Sequence, residues 1–300
     1  MKTFDHIAII FNPKSTGDAP RIAKDLRDTI DGHYEIIQKK STLYPTQHAG
    51  HATSIARDVA VKYERPLIIS VSGDGGYNEV VNGAMRAKNE VKTARPVIAV
   101  MAAGNANDHK RVVRGSTPLI RLIKRADIRP LDLISISARA SDFRLQRYAH
   151  SYIGLGITPE VGHELNRHGK GLFNEMKVIL RTLGRFEPFL MTHDGVTRRY
   201  DNIVFANINE MAKVVQLDEK PKIRDGKFEV ITLRHHSKLR MLGALLSATI
   251  KGFRHVPSLT AYDFTLPDKQ PVQCDGEIEE LPNDCHATIK SHAHAIDSLY

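Results

Sequence analysis

The chain has 300 residues, 41% of them hydrophobic and 26% charged, with no Trp, two cysteines and a formal net charge of +9. That length suggests two domains and buries roughly three-quarters of the unfolded surface, so no disulfide or metal staple is required. The basic balance favours an anionic partner, but 6% aromatics and the lack of an RNP-like or zinc-finger pattern argue against a sequence-reading nucleic-acid module.

In chain order, MKTFDHIAIIFNP reads as a strand, and Asp5 interrupts what a secretory leader would keep apolar. HIAIIF leads into NPKSTG and a helix over Ile22–Ile30. YEIIQK is expected to be the next strand, followed by a loop and a helix at His48–Lys62. PLIIS leads into SGDGGYN and a helix through Glu79–Ala87; PVIAVM leads into AAGNAND and a helical segment near Leu119–Arg125. Short apolar strands alternating with helices predict a doubly wound parallel α/β domain over residues 1–130. Ligands of such sheets sit beyond the carboxyl ends of the strands, where the loops NPKSTG, SGDGGYN and AAGNAND fall.

After Ile128-Arg129-Pro130 the rhythm changes. LDLISIS, LQRYAHSYIGLG, RYDNIVFANI, KFEVITL, SLTAYDFTL and PVQCDGEI read as strands, which predicts a β-rich antiparallel domain, a sandwich, over residues 131–300. Its last strand is a candidate to return to the first domain. Two amphipathic helices interrupt it, Leu172–Leu183 and Leu239–Phe253. MLGALLSATI is too short to span a bilayer, and Cys274 and Cys285 make no disulfide framework. The expectation is a soluble cytoplasmic protein.

Chemistry concentrates at Ser72-Gly73-Asp74-Gly75-Gly76. Glycines between a buried strand and a helix let backbone N–H groups approach a phosphate closely. Asp74 would repel that phosphate unless a metal ion, or a proton to be moved, lay between them. The bland alternative is a turn residue or helix cap. Likewise Asp275-Gly276, standing alone, reads as a hairpin turn.

Gly73–Gly76 followed by Asn78-Glu79-Val80-Val81-Asn82-Gly83 resembles the nucleotide loop of the diacylglycerol kinase catalytic-domain family, G/S-G-D-G-T/L-x-N/H-E-V-x-N-G. Asn12-Pro13-Lys14-Ser15-Thr16-Gly17 resembles that family's N-P-x-S-G-x-G loop. Thr46 to Ala52 is similar to its T-x-x-x-x-H-A helix start, Gly104 to Asp108 to its G-T-x-N-D, and Asp275-Gly276-Glu277 to its late D-G-E. The resemblance spans almost the whole chain. It implies a first domain like those of NAD kinases and phosphofructokinases and a lipid-binding second domain. ATP and Mg²⁺ would be the cofactors, and a phosphoryl group would pass to a lipid hydroxyl, assisted by a carboxylate, in a cleft between the domains.

The same resemblance implies site residues. Asn12, Pro13, Lys14, Thr46, Ser72, Gly73, Asp74, Gly75, Gly76, Asn78, Glu79 and Asn105 would line the nucleotide. Glu277 would be the base, with Asp275 and Asp74 beside it. Asp74 would face the metal, and Asp225, near a family segment that holds a structural Mg²⁺, is a further metal candidate that also reads as a turn. The implied partners are ATP and a lipid at a membrane surface, met peripherally, with no nucleic acid; oligomeric state stays open, a homodimer included.

Three departures from the pattern bear on nucleotide binding. Gly76 and Asn105 stand where many members have Thr, and Ala102 replaces a usual Pro. If Gly76 merely lacks a hydroxyl, Gly76→Thr should tighten ATP binding or leave it unchanged. Asn207 to Ala212 replaces a glycine-rich stretch. Two alternatives therefore remain: a non-catalytic lipid- or nucleotide-binding regulator of the same fold, or a soluble-substrate kinase related to NAD kinases. The histidines suggest no metal site: His163 and His168, five apart, sit roughly 140° apart on a helix, and His235-His236 and His292/His294 lack companions. Finally, Gly169–Phe186 carries Lys177, Arg181 and Arg185 beside an apolar face, which suits an interfacial helix on an anionic bilayer or a core helix with a solvated basic side.

Overall fold

The computed structural model describes residues 4–15, 17–33, 40–103, 110, 114–160, 186–208, 210–211, 215–216, 224–235 and 256–299. The expected strand at Tyr34–Lys39, Asn105 with its loop, His163, His168 and both inserted helices (Leu172–Leu183 and Leu239–Phe253) lie outside them. The chain divides into two compact units: Met1–Leu133 with Ile223–Asp225 and Ala293–Tyr300, and Ile134–Lys222 with Gly226–His292.

In the first unit β1 (Ile7–Phe11), β2 (Ser41–Pro45), β3 (Leu67–Ser72) and β4 (Val97–Ala102) pair in parallel in the order β2-β1-β3-β4. The end of the last strand, β17 (Cys285–Leu299), adds to β4 in parallel through Asp297 and Ser298. Every residue of β3 is buried, as a central parallel strand covered on both faces requires. β2 carries a proline and alternating exposure, as an edge strand tolerates, so its sequence gives little apolar signal.

Among the described residues four helices flank these strands: α1 (Ala19–Gly32), α2 (His51–Lys62), α3 (Asp74–Glu90) and α4 (Leu119–Arg125). α1 begins three residues before the expected Ile22, with proline in its first turn, where the missing N–H costs nothing. It buries Ala19, Ala23, Leu26 and Ile30, one stripe at helical spacing, and packs them into the core with Ile7, Ile9, Leu67, Ile69, Val97 and Leu122.

The second unit is antiparallel. β5 (Ile128–Ala140) enters it from the first unit and forms a hairpin with β6 (Phe143–Ala149). β9 (Val196–Ala206) is its central strand, pairing with β7 (Tyr152–Gly156), β8 (Phe189–His193) and β12 (Phe228–Arg234). β14 (Ala261–Leu266) lies between β8 and β17, and β15 (Gln270–Cys274) joins β7 to β16 (Glu277–Leu281). β13 (Ser258–Leu259) borders β12, and β10 (Glu210–Met211) pairs with β11 (Val215–Gln216). Inward residues, Ile134, Ile153, Phe189, Phe205, Phe228, Phe264, Val272 and Ile289 among them, share one core.

Two expected strands are each broken in two. LQRYAHSYIGLG parts at His150-Ser151, and SLTAYDFTL parts at Thr260. Cys274 and Cys285 are buried and free, and burial pushes the Cys274 thiol well above its ordinary pKa. Among the described residues no helix is long and apolar enough to cross a membrane.

Candidate active site

β3 ends at Ser72 and α3 starts at Asp74, so Gly73 alone connects strand to helix, in an extended conformation (φ −85°, ψ −170°). The glycines expected to form a turn before a helix at Glu79 are instead the helix's first turn. A first turn has N–H groups with no intrahelical acceptor, and Gly73 brings no side chain to cap them. Those groups and the positive end of a 17-residue helix fit an anion. Asp74 sits among them, half-buried.

Ser72 explains Gly76. Its hydroxyl lies 2.7 Å from Ser70 Oγ and donates to Gly73 O at 2.9 Å. A β-carbon at position 76 would stand 2.7 Å from Ser72 Cβ and 2.8 Å from its Oγ. The missing side chain at Gly76 is therefore matched to a filled Ser72, and a threonine there needs the backbone or Ser72 to move. The expectation that Gly76→Thr is neutral or favourable is corrected on this ground.

Three other strand ends lie along the same edge of the sheet as this turn. Thr46 donates its N–H to Phe11 O (2.9 Å), and Ala103 donates to Ser72 O (3.0 Å). Ser15 Oγ donates to Ala103 O at 3.3 Å, drawing in the loop after β1. In that loop Lys14 N donates to Asn12 Oδ1 (2.9 Å), an Asx turn that leaves Asn12, Pro13 and Lys14 exposed. So Asn12–Lys14, Thr46 and Ser72–Gly76 share the carboxyl edge of one sheet.

Glu79 and Asn78 do not face solvent freely. The Glu79 carboxylate accepts from Gly50 N and Ala52 N, each at 3.0 Å, and its carbonyl accepts from Thr53 Oγ1. It caps α2, whose own N-cap is a glycine at φ 80°. Asn78 is fully buried and accepts from Asn82 Nδ2. Both are positioning residues that lock α3 against α2. Gly83 completes the lock, since a β-carbon there would lie 2.3 Å from Thr53 O.

In the second unit, Asp275 (φ 49°) and Gly276 (φ 98°) form the two-residue turn between β15 and β16, opposite-handed as hairpin twist prefers. The Asp275 side chain is wholly buried. Its oxygens accept from His150 N (2.7 Å), Ser151 N (3.0 Å) and Tyr152 N (2.9 Å), with His150 Nε2 3.3 Å away. A carboxylate so enclosed holds the chain; it does not receive a substrate proton. The expected catalytic role of Asp275 becomes a positioning one. Glu277 opens β16, half-buried, paired across the hairpin with Cys274.

Asp225 is exposed in a bend before β12. Among the described residues, no three His, Cys, Asp or Glu side chains cluster as metal ligands. His235 pairs with Asp201 at 2.9 Å, and His292 shares a hydrogen bond with Ser135 Oγ at 2.8 Å, so both are structural. His150, Ser151 and Asn207, whose amide donates to His150 O, support Asp275 without any motif of their own. Their only signal was the polar pair His150-Ser151 inside an otherwise strand-like run.

Residues 6–136 match the family model described as the diacylglycerol kinase catalytic domain. Over that segment the chain is similar to the diacylglycerol kinase catalytic-domain family. Within that family, the diacylglycerol kinase of Bacillus subtilis (strain 168) is 25% identical over 241 residues, 75% of this chain and 73% of its own. That of Staphylococcus carnosus (strain TM300) is 24% identical over 291 residues, 90% of this chain and 87% of its own. The crystal structure of a diacylglycerol kinase from Bacillus anthracis str. Sterne covers 99% of this chain and 97% of its own at a TM-score of 0.70 and 18% identity, a likeness of fold.

Proposed function

We propose that this chain is a lipid kinase that moves the γ-phosphoryl group of ATP to a hydroxyl of a lipid such as a diacylglycerol or a sphingoid base. The observation that carries the reading is the first turn of α3, where Gly73, Gly75 and Gly76 leave backbone N–H groups open to phosphate with Asp74 among them. Phosphoryl transfer demands positioning and charge neutralisation more than covalent help. The α3 turn holds and orients the phosphates, with the loop of Asn12–Lys14 and Thr46 at the same sheet edge.

Asp74 is a hard oxygen donor beside a phosphate site, a donor set that suits Mg²⁺, which prefers one or two carboxylates completed by phosphate and water. When bound, Mg²⁺ would offset the phosphate charge. Glu277 accepts the hydroxyl proton as the lipid oxygen bonds to the γ-phosphorus. The bond from that phosphorus to the β–γ bridging oxygen breaks, and ADP leaves. Asp275, buried against His150, Ser151 and Tyr152, holds the turn that presents Glu277. The protein would meet its lipid as a peripheral, cytoplasmic visitor to the membrane.

The test is incubation with γ-labelled ATP and Mg²⁺ against diacylglycerol, monoacylglycerol, sphingoid base, ceramide and phosphatidylglycerol, followed by lipid chromatography. Label in one lipid, dependent on Mg²⁺, is the expected result. ATP binding without transfer to any lipid or soluble acceptor would instead leave a non-catalytic binder.

A further inference from the structure

Outside the glycine turn, the first unit contains a second cationic feature. A cavity of about 280 Å³ is lined by Arg114, Thr117, Arg121, Leu122, Arg125, Asp127 and Arg129. Arg121 and Arg125 are one helical turn apart on α4, so their guanidinium groups share a face. None of the glycine-turn residues lines it.

The charges there do not balance. Asp127 is the single carboxylate among the lining residues, and Arg129 engages it at 2.9 and 3.3 Å. Arg114 is half-buried, and its Nε, out of solvent, has no hydrogen-bond partner among the described residues. Burial pushes the Arg114 guanidinium below its ordinary pKa. A partly buried cation without an anion is costly, and beyond the Arg129–Asp127 pair the cavity holds three further arginines, Arg114, Arg121 and Arg125, with no carboxylate among its lining residues to match them. Thr117 adds a hydroxyl. Planar N–H forks with a hydroxyl are the donor set that phosphate oxygens match best.

We propose that this cavity is a phosphate-binding site, separate from the nucleotide turn, that takes a phosphate dianion or phosphomonoester. The ligand comes from one of two sources, free phosphate in solution or a phosphomonoester lipid headgroup at a bilayer; the chemistry is shared, and the experiment separates them. The site stands whether or not the chain phosphorylates a lipid.

The full chain is titrated with inorganic phosphate by calorimetry, with and without saturating ATP, and sedimented with phosphatidylcholine vesicles with or without phosphatidic acid. Three variants are compared with the parent: R121Q/R125Q, in which both changed residues are exposed on α4; R114K, which keeps the charge but loses the fork; and R198Q/R199Q, which removes the same charge from exposed positions of β9. R121Q/R125Q should weaken binding on the order of a hundredfold, about tenfold for each charge-assisted contact, and R114K about tenfold. R198Q/R199Q should bind like the parent. Phosphate binding that persists under ATP, without vesicle capture, identifies a soluble phosphate ligand; capture by phosphatidic acid alone identifies the headgroup. The proposal is overturned if the parent binds neither probe, if ATP competes the phosphate away, or if R198Q/R199Q loses as much binding as R121Q/R125Q, which would make the effect one of bulk charge.

Discussion

Two acids, one in the glycine turn and one in D-G-E, meet opposite environments. Asp74 is half-buried in an open helix turn, whereas Asp275 is sealed under three backbone donors. Asp74 and Glu277 are therefore the acids we propose for the active site. D74N and E277Q should each lower turnover by at least about a hundredfold while circular dichroism and melting temperature stay at parent values. Near-parent turnover in either variant removes that residue from the mechanism. Gly76 makes a sharper case, because its β-carbon would stand 2.7 Å from Ser72 Cβ. Overpacking at such a site costs about 1–3 kcal/mol. Gly76→Thr should melt lower than the parent, and Ser72→Gly in the same chain should recover part of the loss. A Gly76→Thr protein that melts with the parent would show that Ser72 does not set the size of this residue.

At the level of elements, α2 lacks a capping side chain of its own and borrows Glu79 from α3. Removing a helix cap costs about 1 kcal/mol, somewhat more when the cap is charged. Glu79→Ala should speed amide exchange at Ala52 and its neighbours in the first turn of α2, with α3 little changed; unchanged exchange there would deny the capping role. On β17, His292 lies against the Tyr148 ring at 5.3 Å, and burial, helped by Lys290, lowers its pKa from 6.5. The folded chain therefore takes up this proton less readily than the unfolded one. The stability His292 contributes is complete above about pH 6.5 and is lost as pH falls from there through the folded-state value. The parent should lose more melting temperature than His292→Gln on going from about pH 7 to about pH 5. Equal losses would assign the acid sensitivity elsewhere.

For the whole molecule, a net charge of +9 meets a proposed substrate that resides in membranes. Lys177, Arg181 and Arg185 lie outside the described residues, so their part rests on sequence spacing. Each basic residue near an anionic surface adds on the order of 1 kcal/mol, and three together raise binding by roughly a hundredfold. Sedimentation with phosphatidylglycerol vesicles should grow with anionic content and fade with salt. It should fall when all three become Gln. A triple variant that sediments like the parent at every salt concentration places the membrane contact on another part of the chain.

By itself the sequence determined what local pattern encodes. The apolar run of β3, the strand–helix alternation, the antiparallel second half and the ordered motifs were all legible, since period and turn chemistry are properties of adjacent residues. Asp275-Gly276 was legible as a turn for the same reason. Tertiary structure alone decided what depends on distant partners. Glu79 meets Gly50 across 29 residues and Asp275 meets His150 across 125, and no spacing rule links them. β2 escaped because an edge strand needs no apolar run, and the start of α3 was misplaced because glycines in a helix's first turn look like a loop in sequence. Burial and long-range hydrogen bonding then set the two acids of D-G-E apart, Asp275 enclosed under three backbone donors and Glu277 half-buried at the start of β16, because the donors that enclose Asp275 come from a distant part of the chain.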